Sequence, residues 1–355
     1  MIAVLMALGC QDGGEVRKPG GTDIETGTAV IATVAPDYSV GALATVDLES
    51  YEAQEELAAV SGDPALALEG GYLWQLNRYM HDTVRKYDPS DISIPLAEVS
   101  VAPDSGSSNP HDIALCGDTV LVSQYELPEL LLLDLDGLAV TGRIDLSQFA
   151  EDGNPEASTL VKHDGSVFVG MQNLDRDGPA WVGTGGAIAE IGCDSLAVER
   201  SWDFGNNLRL YPWEEGEGIL VATESFGSLL GGVYRMDTEE GSFELLAGAT
   251  AGKVSSVAAM GSSLMSIEAA EDLSGYQISC HDLAGGDSIT HGIQGEYLVG
   301  AAADSSGRAW ILSNFGWVDP LSFVGLYVYD METCSEVDAS PIPFGLGPYS
   351  IAIIE

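Results

Sequence analysis

The sequence predicts an all-β fold: a seven-bladed β-propeller of four-stranded antiparallel blades. The first observation is a four-residue phrase ending in aspartate that recurs along the chain. Its copies are Ala44–Asp47, Arg85–Asp88, Leu131–Asp134, Tyr234–Asp237, Ser279–Asp282 and Tyr327–Asp330, with Ile188–Ile191 as a degenerate copy in the one large gap. The second is the period, roughly 40 to 50 residues with several short strands in each, which is that of propeller blades. The third concerns the ends of the chain. Gly347–Ile354 matches the opening of an innermost strand at Asn109–Leu115 and has no partner strands after it. Ala29–Val34 and Ala42–Asp47 read as second and third strands with no innermost strand before them. The C-terminal strand therefore completes blade 1, and ring closure leaves no exposed sheet edge.

Within a blade, strands run from A at the axis to D at the rim, with period-2 alternation and turn signals between them. Blade 3 shows the pattern most clearly. Asp112–Leu115 is strand A, Gly117-Asp118 turns the chain, Val120–Gln124 is strand B, Leu130–Leu135 is strand C, and Ala139–Leu146 is strand D after the Asp136-Gly137 hairpin signal. Strands A, B and C of the other blades align to it. They are Leu66–Leu68, Tyr72–Asn77 and Thr83–Asp88 in blade 2; Ser158–Val161, Val167–Gln172 and Ala187–Ile191 in blade 4; and Leu208–Tyr211, Ile219–Glu224 and Val233–Asp237 in blade 5. Blade 6 has Val254–Ala258, Leu264–Glu268 and Tyr276–Asp282, and blade 7 has Leu298–Ala302, Ala309–Asn314 and Leu326–Asp330. Each recurring aspartate stands before a C–D turn, where its carboxylate accepts backbone N–H groups in an Asx-turn; these residues are structural.

One propeller accounts for residues 27–355. Ahead of it, residues 1–10 form an apolar run ending in Ala7-Leu8-Gly9-Cys10, and residues 11–26 form a polar tether. The run resembles a bacterial lipoprotein signal, although Ala7 replaces the usual Leu and no Lys or Arg precedes it. The resemblance implies lipidation of Cys10, and Gln11 after it implies the outer membrane of a double-membraned bacterium. No run of about 18 apolar residues offers a membrane span.

The chain carries 55 Asp and Glu against 13 Lys and Arg, a net charge of −42, with a hydrophobic content of 45% that is ample for a core. Such a surface repels nucleic acid and anionic lipid, so neither is an expected partner, and membrane contact is expected only through the N-terminal lipid. A small polar molecule, a glycan or a protein is the expected partner, and the chain is expected to be a monomer. Cys116, Cys193, Cys280 and Cys334 fall in four different blades, which argues against disulfide pairing, since a bridge requires Cα atoms within about 7 Å.

The Asn109-Pro110-His111-Asp112-Ile113-Ala114 opening and the strand-end aspartates resemble bacterial seven-bladed propellers of the YVTN/lactonase-like type. That group includes lactonases, scaffolds and surface proteins, so the likeness leaves the function open.

Candidate chemistry lies at the ends of strand B, where Asn77, Gln124, Gln172, Glu224, Glu268 and Asn314 stand in register. Near them lie His111, Asp112, Glu156, Lys253 and Tyr349 at the starts of strand A. Such a ring either binds a polar ligand or a divalent cation, or bonds neighbouring strand ends. Asn173–Gly178 has the oxygen spacing that opens an EF-hand loop, but Thr184 stands where its bidentate Glu belongs. Asp175 and Asp177 of this segment, with Asp152 and Glu156 of the preceding loop, form a candidate calcium site. Lys253 reads as the one cation at a strand A mouth, too few to neutralise Glu156, Glu224 and Glu268. Trp181 and Trp317 in long B–C loops supply flat faces suited to a sugar or protein. Catalytic motifs are absent: there is no Gly-x-Ser-x-Gly or His-Glu-x-x-His. The preferred function is a lipid-anchored extracytoplasmic binding module, with a metal-assisted lactonase as the alternative.

Overall fold

The computed structural model describes residues 26–176, 182–183, 185–205, 207–213, 218–223, 231–249, 252–270, 275–284, 288–294, 296–315 and 323–355. Cys10, Asp177, Trp181, Glu224 and Trp317 lie outside the described residues. Seven antiparallel sheets form the ring. In blade 1 the order from axis to rim is Gly347–Ile354, Thr28–Val34, Gly41–Asp47 and Ala53–Val60. Blades 2 to 6 follow the chain, with strands A at Pro64–Glu69, Pro110–Cys116, Ala157–His163, Leu208–Pro212 and Gly252–Met260. Blade 7 begins with Tyr297–Ala303 and ends in two short edge pieces, Ser335–Glu336 and Ile342–Pro343.

Burial falls from the second strand to the rim because blades pack face to face. Thr28–Val34 and Ser166–Met171, both strand B, are buried at every residue, whereas strand D of blade 4, Ala197–Asp203, has no buried residue. The apolar clusters bridge neighbouring blades: Ala114, Leu121 and Leu132 of blade 3 meet Leu160, Val169 and Ile191 of blade 4. Full burial of each such Leu, Ile or Val side chain contributes about 1.5–3 kcal/mol. At the closure, Thr28 pairs with Ile354 and Val34 with Gly347, and the Gly27 N–H donates to the Ile354 carbonyl at 2.7 Å. Gly347 is sterically required, since a Cβ there would lie 1.9 Å from Asn314 Oδ1 of blade 7.

The recurring aspartates cap the C–D turns as the phrase predicts. Asp47 Oδ1 accepts from Glu49 and Ser50 N–H, Asp134 from Gly137 and Ala139, Asp237 from Glu239 and Glu240, and Asp330 from Thr333. These bonds hold the carboxyls of Asp47, Asp134 and Asp330 below the usual range.

The expectation about cysteines is corrected. Cys116 bridges to Cys193 with Cα atoms 4.9 Å apart, and Cys280 to Cys334 at 5.8 Å. Blades 3 and 4 are neighbours, as are 6 and 7. Face-to-face packing brings a strand of one blade against the C–D turn of the next, so separate blades are no obstacle to pairing.

Strand A carries a register shift near its start in five blades: between Ala32/Thr33 of the partner strand in blade 1, and at Pro110/Ile113, Ala157/Thr159, Val254/Ser256 and Leu298/Gly300. Bulges of this kind re-aim side chains. Several residues at or beside them reach the next blade. The Leu66 N–H donates to Ser350 Oγ, Leu160 to Asp112 Oδ2, Leu210 to Thr159 Oγ1 and Ala301 to Ser256 Oγ, at 2.8–3.1 Å. These bonds form a girdle around the axis, stitching one innermost strand to another.

Candidate functional site at the channel mouth

Strand A starts, strand B ends and the D–A and B–C loops share one face of the ring. The side chains around the axial channel there come from different blades. Tyr349 is the bulged residue of blade 1, Arg78 follows strand B of blade 2, and His111 lies in the bulge of blade 3. Arg209 and Lys253 lie within the first two residues of strand A in blades 5 and 6, and Tyr297 opens it in blade 7.

Two cavities meet at this mouth. One, of about 450 Å³, is lined by Tyr38, Asp63, Arg78, His111, Tyr297 and Tyr349 among others. The second, of about 350 Å³, shares Arg78, Tyr297 and Tyr349 with it and adds Arg209, Lys253 and Tyr276. Arg78 is fixed by Asp63 Oδ1 and by the Tyr349 hydroxyl, which accepts at 3.0 Å. Tyr38 meets Tyr349 edge to face at 6.0 Å. Its loop lies directly on Gly62, where a Cβ would fall 1.6 Å from the Tyr38 carbonyl oxygen.

His111 stacks on Tyr125 with centroids 4.3 Å apart and planes 10° from parallel. Burial, and then the guanidiniums of Arg78, Arg209 and Arg176, hold its pKa well below the usual histidine value. The imidazole is therefore neutral at pH 7 and offers one donor and one acceptor. Burial pushes the Tyr125 and Tyr349 hydroxyls up to about 12, so both remain protonated. Asp112, beside His111, faces away into the girdle, and burial raises it to about 7 against the bonds it accepts from Leu160 and Ile113.

The five described strand B residues singled out in the sequence are buried and bonded to neighbouring strands and turns. Asn77 Oδ1 accepts from Ser61 N–H and Gln75 Nε2, while its amide donates to Thr83 Oγ1. Gln124 donates to the Glu129 carbonyl, Gln172 accepts from the Tyr125 hydroxyl, and Glu268 accepts from Gln277 at 2.7 Å. Asn314 is fully buried, its Oδ1 taking the Phe315 N–H. The neighbours of two of these residues lie closer to the mouth: Arg78 lines both cavities, and Tyr125 backs His111. Successive residues at a strand end point to opposite sides, so a shift of one position exchanges blade interior for mouth.

In the candidate calcium loops, Glu156 accepts from the Leu174 N–H at 2.8 Å and from Arg176 Nε at 2.7 Å. Asp152 is exposed and caps the Asn154 N–H, and exposed Asp175 sits in a two-residue ribbon paired with Val182. Among the described residues no group of three or more His, Cys, Asp or Glu side chains is placed to hold a metal ion.

The expectation that Lys253 is the one cation here is corrected. Arg209 also opens a strand A, and Arg78 and Arg176 follow their B strands, so four cations surround His111 and the mouth. Arg78, Arg209, Tyr38 and Tyr297 went unnoticed in the sequence because none belongs to a repeated phrase; Arg78, Arg209 and Tyr297 stand within two residues of a strand end, whereas Tyr38 lies in the middle of the loop between Val34 and Gly41. At the opposite end the channel widens to about 1170 Å³, where Lys162 lies among Glu69, Asp164 and Glu239 with Trp213 nearby.

No family model and no curated protein matches the chain. Solved structures do. The β-propeller domain of Myceliophteria thermophila Cps50 (Swd1) superposes with a TM-score of 0.57 at 13% identity, over 82% of this chain and 94% of its own. Kuenenia stuttgartiensis hydrazine synthase gives 0.57 at 14% identity, over 93% and 98%. The dihydro-heme d1 dehydrogenase NirN gives 0.56 at 13% identity, over 97% and 79%. The likeness is one of propeller fold.

Proposed function

We propose that the chain is a binding module that holds a small polar ligand at the channel mouth on the face of the D–A and B–C loops. The observation that carries this reading is the convergence on one mouth of unrepeated side chains: Tyr349, Arg78, His111, Arg209, Lys253 and Tyr297, from six different blades. A scaffold role alone gives no reason to break the repeat at the same place in each blade. An aromatic-lined cavity with a few fixed polar groups is what ligand pockets offer.

We further place the protein with bacterial propellers of the YVTN/lactonase-like type, outside the cytoplasm on a lipid at Cys10. The two disulfides support the oxidising compartment. No observation among the described residues favours a metal-assisted lactonase. Calcium at the Asp152, Glu156, Asp175 and Asp177 loops is a separate proposal, and such an ion would compete with Arg176 for Glu156.

The test is calorimetric titration of the purified protein with a panel of monosaccharides, amino acids and organic acids. A panel member should bind, and His111→Ala or Tyr349→Ala should weaken it at least about tenfold, the loss of one good buried contact. Binding that survives both changes would put the site elsewhere.

A further inference from the structure

Seven of the eight described arginines make ion pairs with carboxylates: Arg78, Arg85, Arg143, Arg176, Arg200, Arg235 and Arg308. With 55 acids for 13 bases, that outcome is expected. Arg209 is the exception. Among the described residues its side chain has no carboxylate partner and bonds the Ser255 carbonyl at 3.1 Å. Lys253 lines the same cavity, and among the described residues its ammonium has neither a carboxylate nor a hydrogen-bond partner. Among the described residues, then, two cations without a carboxylate partner share one cavity of a protein of net charge −42, an arrangement that suits an anion arriving from outside.

Resting on the mouth as the ligand site, we infer that the ligand is a small carboxylate with a flat face. The guanidinium of Arg209 matches the planar geometry of a carboxylate in two parallel N–H···O bonds, and Lys253 adds a point charge. A monoanion is neutralised by either cation, while a phosphate dianion meets more repulsion from the acidic exterior. The adjoining cavity supplies the faces of Tyr38, Tyr297 and Tyr349 and the neutral His111 for the rest of the molecule. Two kinds of molecule share that chemistry: a uronic acid, whose pyranose lies on an aromatic ring, and an aryl-substituted carboxylic acid.

The experiment is calorimetry with galacturonate and phenylacetate, each beside its neutral counterpart, methyl galactoside and phenylacetamide, and with inorganic phosphate. At least one acid should bind about tenfold or more tighter than its neutral counterpart, the difference one charge-assisted hydrogen bond supplies. Which acid wins identifies the source. Arg209→Gln and Lys253→Gln should each weaken that acid about tenfold or more, Arg209→Lys should restore part of it, and Lys162→Gln at the opposite end should leave it unchanged. Melting curves establish that each variant is folded, and Arg209 and Lys253 contribute to no buried ion pair whose loss would unfold the chain. Neutral counterparts that bind as well as the acids, in a manner still abolished by Tyr349→Ala, would overturn the carboxylate and leave the mouth standing. Phosphate binding tighter than both acids would overturn it as well. Binding untouched by every mouth variant would overturn the mouth reading itself.

Discussion

The two faces of the ring are built by opposite rules. On the C–D turn face the same device repeats, an aspartate whose carboxylate gathers the backbone N–H groups of the following turn, at Asp47, Asp134, Asp237 and Asp330. On the other face no single device repeats: the mouth takes Tyr349, Arg78, His111, Arg209, Lys253 and Tyr297 from blades 1, 2, 3, 5, 6 and 7. The turn face meets one geometric problem with the same answer in six blades. The mouth, where all blades meet at one axis, needs different answers that add up to one surface. Repetition therefore marks the scaffold, and its interruption marks the place where chemistry can be put.

Breaking the ring should give the largest effect. Removing Ile342–Glu355 deletes strand A of blade 1 and uncovers Thr28–Val34, which is buried along its whole length. Loss of a cooperative unfolding transition, with aggregation through the opened edge, is expected in a thermal melt. Next come the disulfides. Cys116–Cys193 and Cys280–Cys334 close loops of 77 and 54 residues, for which loop entropy gives about 4 kcal/mol each. Cys116→Ser/Cys193→Ser should lower the denaturant midpoint strongly without moving the mouth, so ligand binding to the folded variant should persist.

A smaller effect separates the two faces by pH. The buried Asp112 titrates near 7 in the folded protein, against about 4 in an unfolded chain. Its folded pKa is raised, so its contribution is fully present below about pH 4 and is lost as pH rises towards 7. Asp47, Asp134 and Asp330 on the turn face have the opposite sign: their folded pKa values are depressed, so their contribution is present at neutral pH and lost only as pH falls below the ordinary carboxylate range. Asp112→Asn should therefore flatten the fall in melting temperature between pH 4 and 7 relative to wild type. The smallest expected change is Asp134→Ala, which removes the two N–H bonds of a solvent-exposed turn. It should lower the melting temperature slightly at pH 7, and by less as the pH falls below the ordinary carboxylate range.

The ring was legible in the sequence because its causes are local and repeated. The phrase at Leu131–Asp134 combines a buried strand with its turn, and five other segments obey the same physics. Closure was legible because Gly347–Ile354 lacked its own partners and Thr28–Val34 lacked an innermost strand. The disulfides were not, since their geometry depends on how one blade faces the next, which no blade's own residues state. The mouth was legible in part. His111, Lys253 and Tyr349 stood at strand A starts, whereas Asn77 and Gln124 were each one residue short of Arg78 and Tyr125. The bulges that place His111 and Tyr349 coincide with the girdle contacts between blades and have no repeated residue to mark them.

The most direct test of the mouth as the functional face is a crystal structure of the protein soaked with whichever panel compound binds. The ligand should lie between Tyr349 and Arg78 on one side and Arg209 and Lys253 on the other. Density at the opposite end of the channel, among Lys162, Trp213 and Glu69, or on the C–D turns, would contradict it.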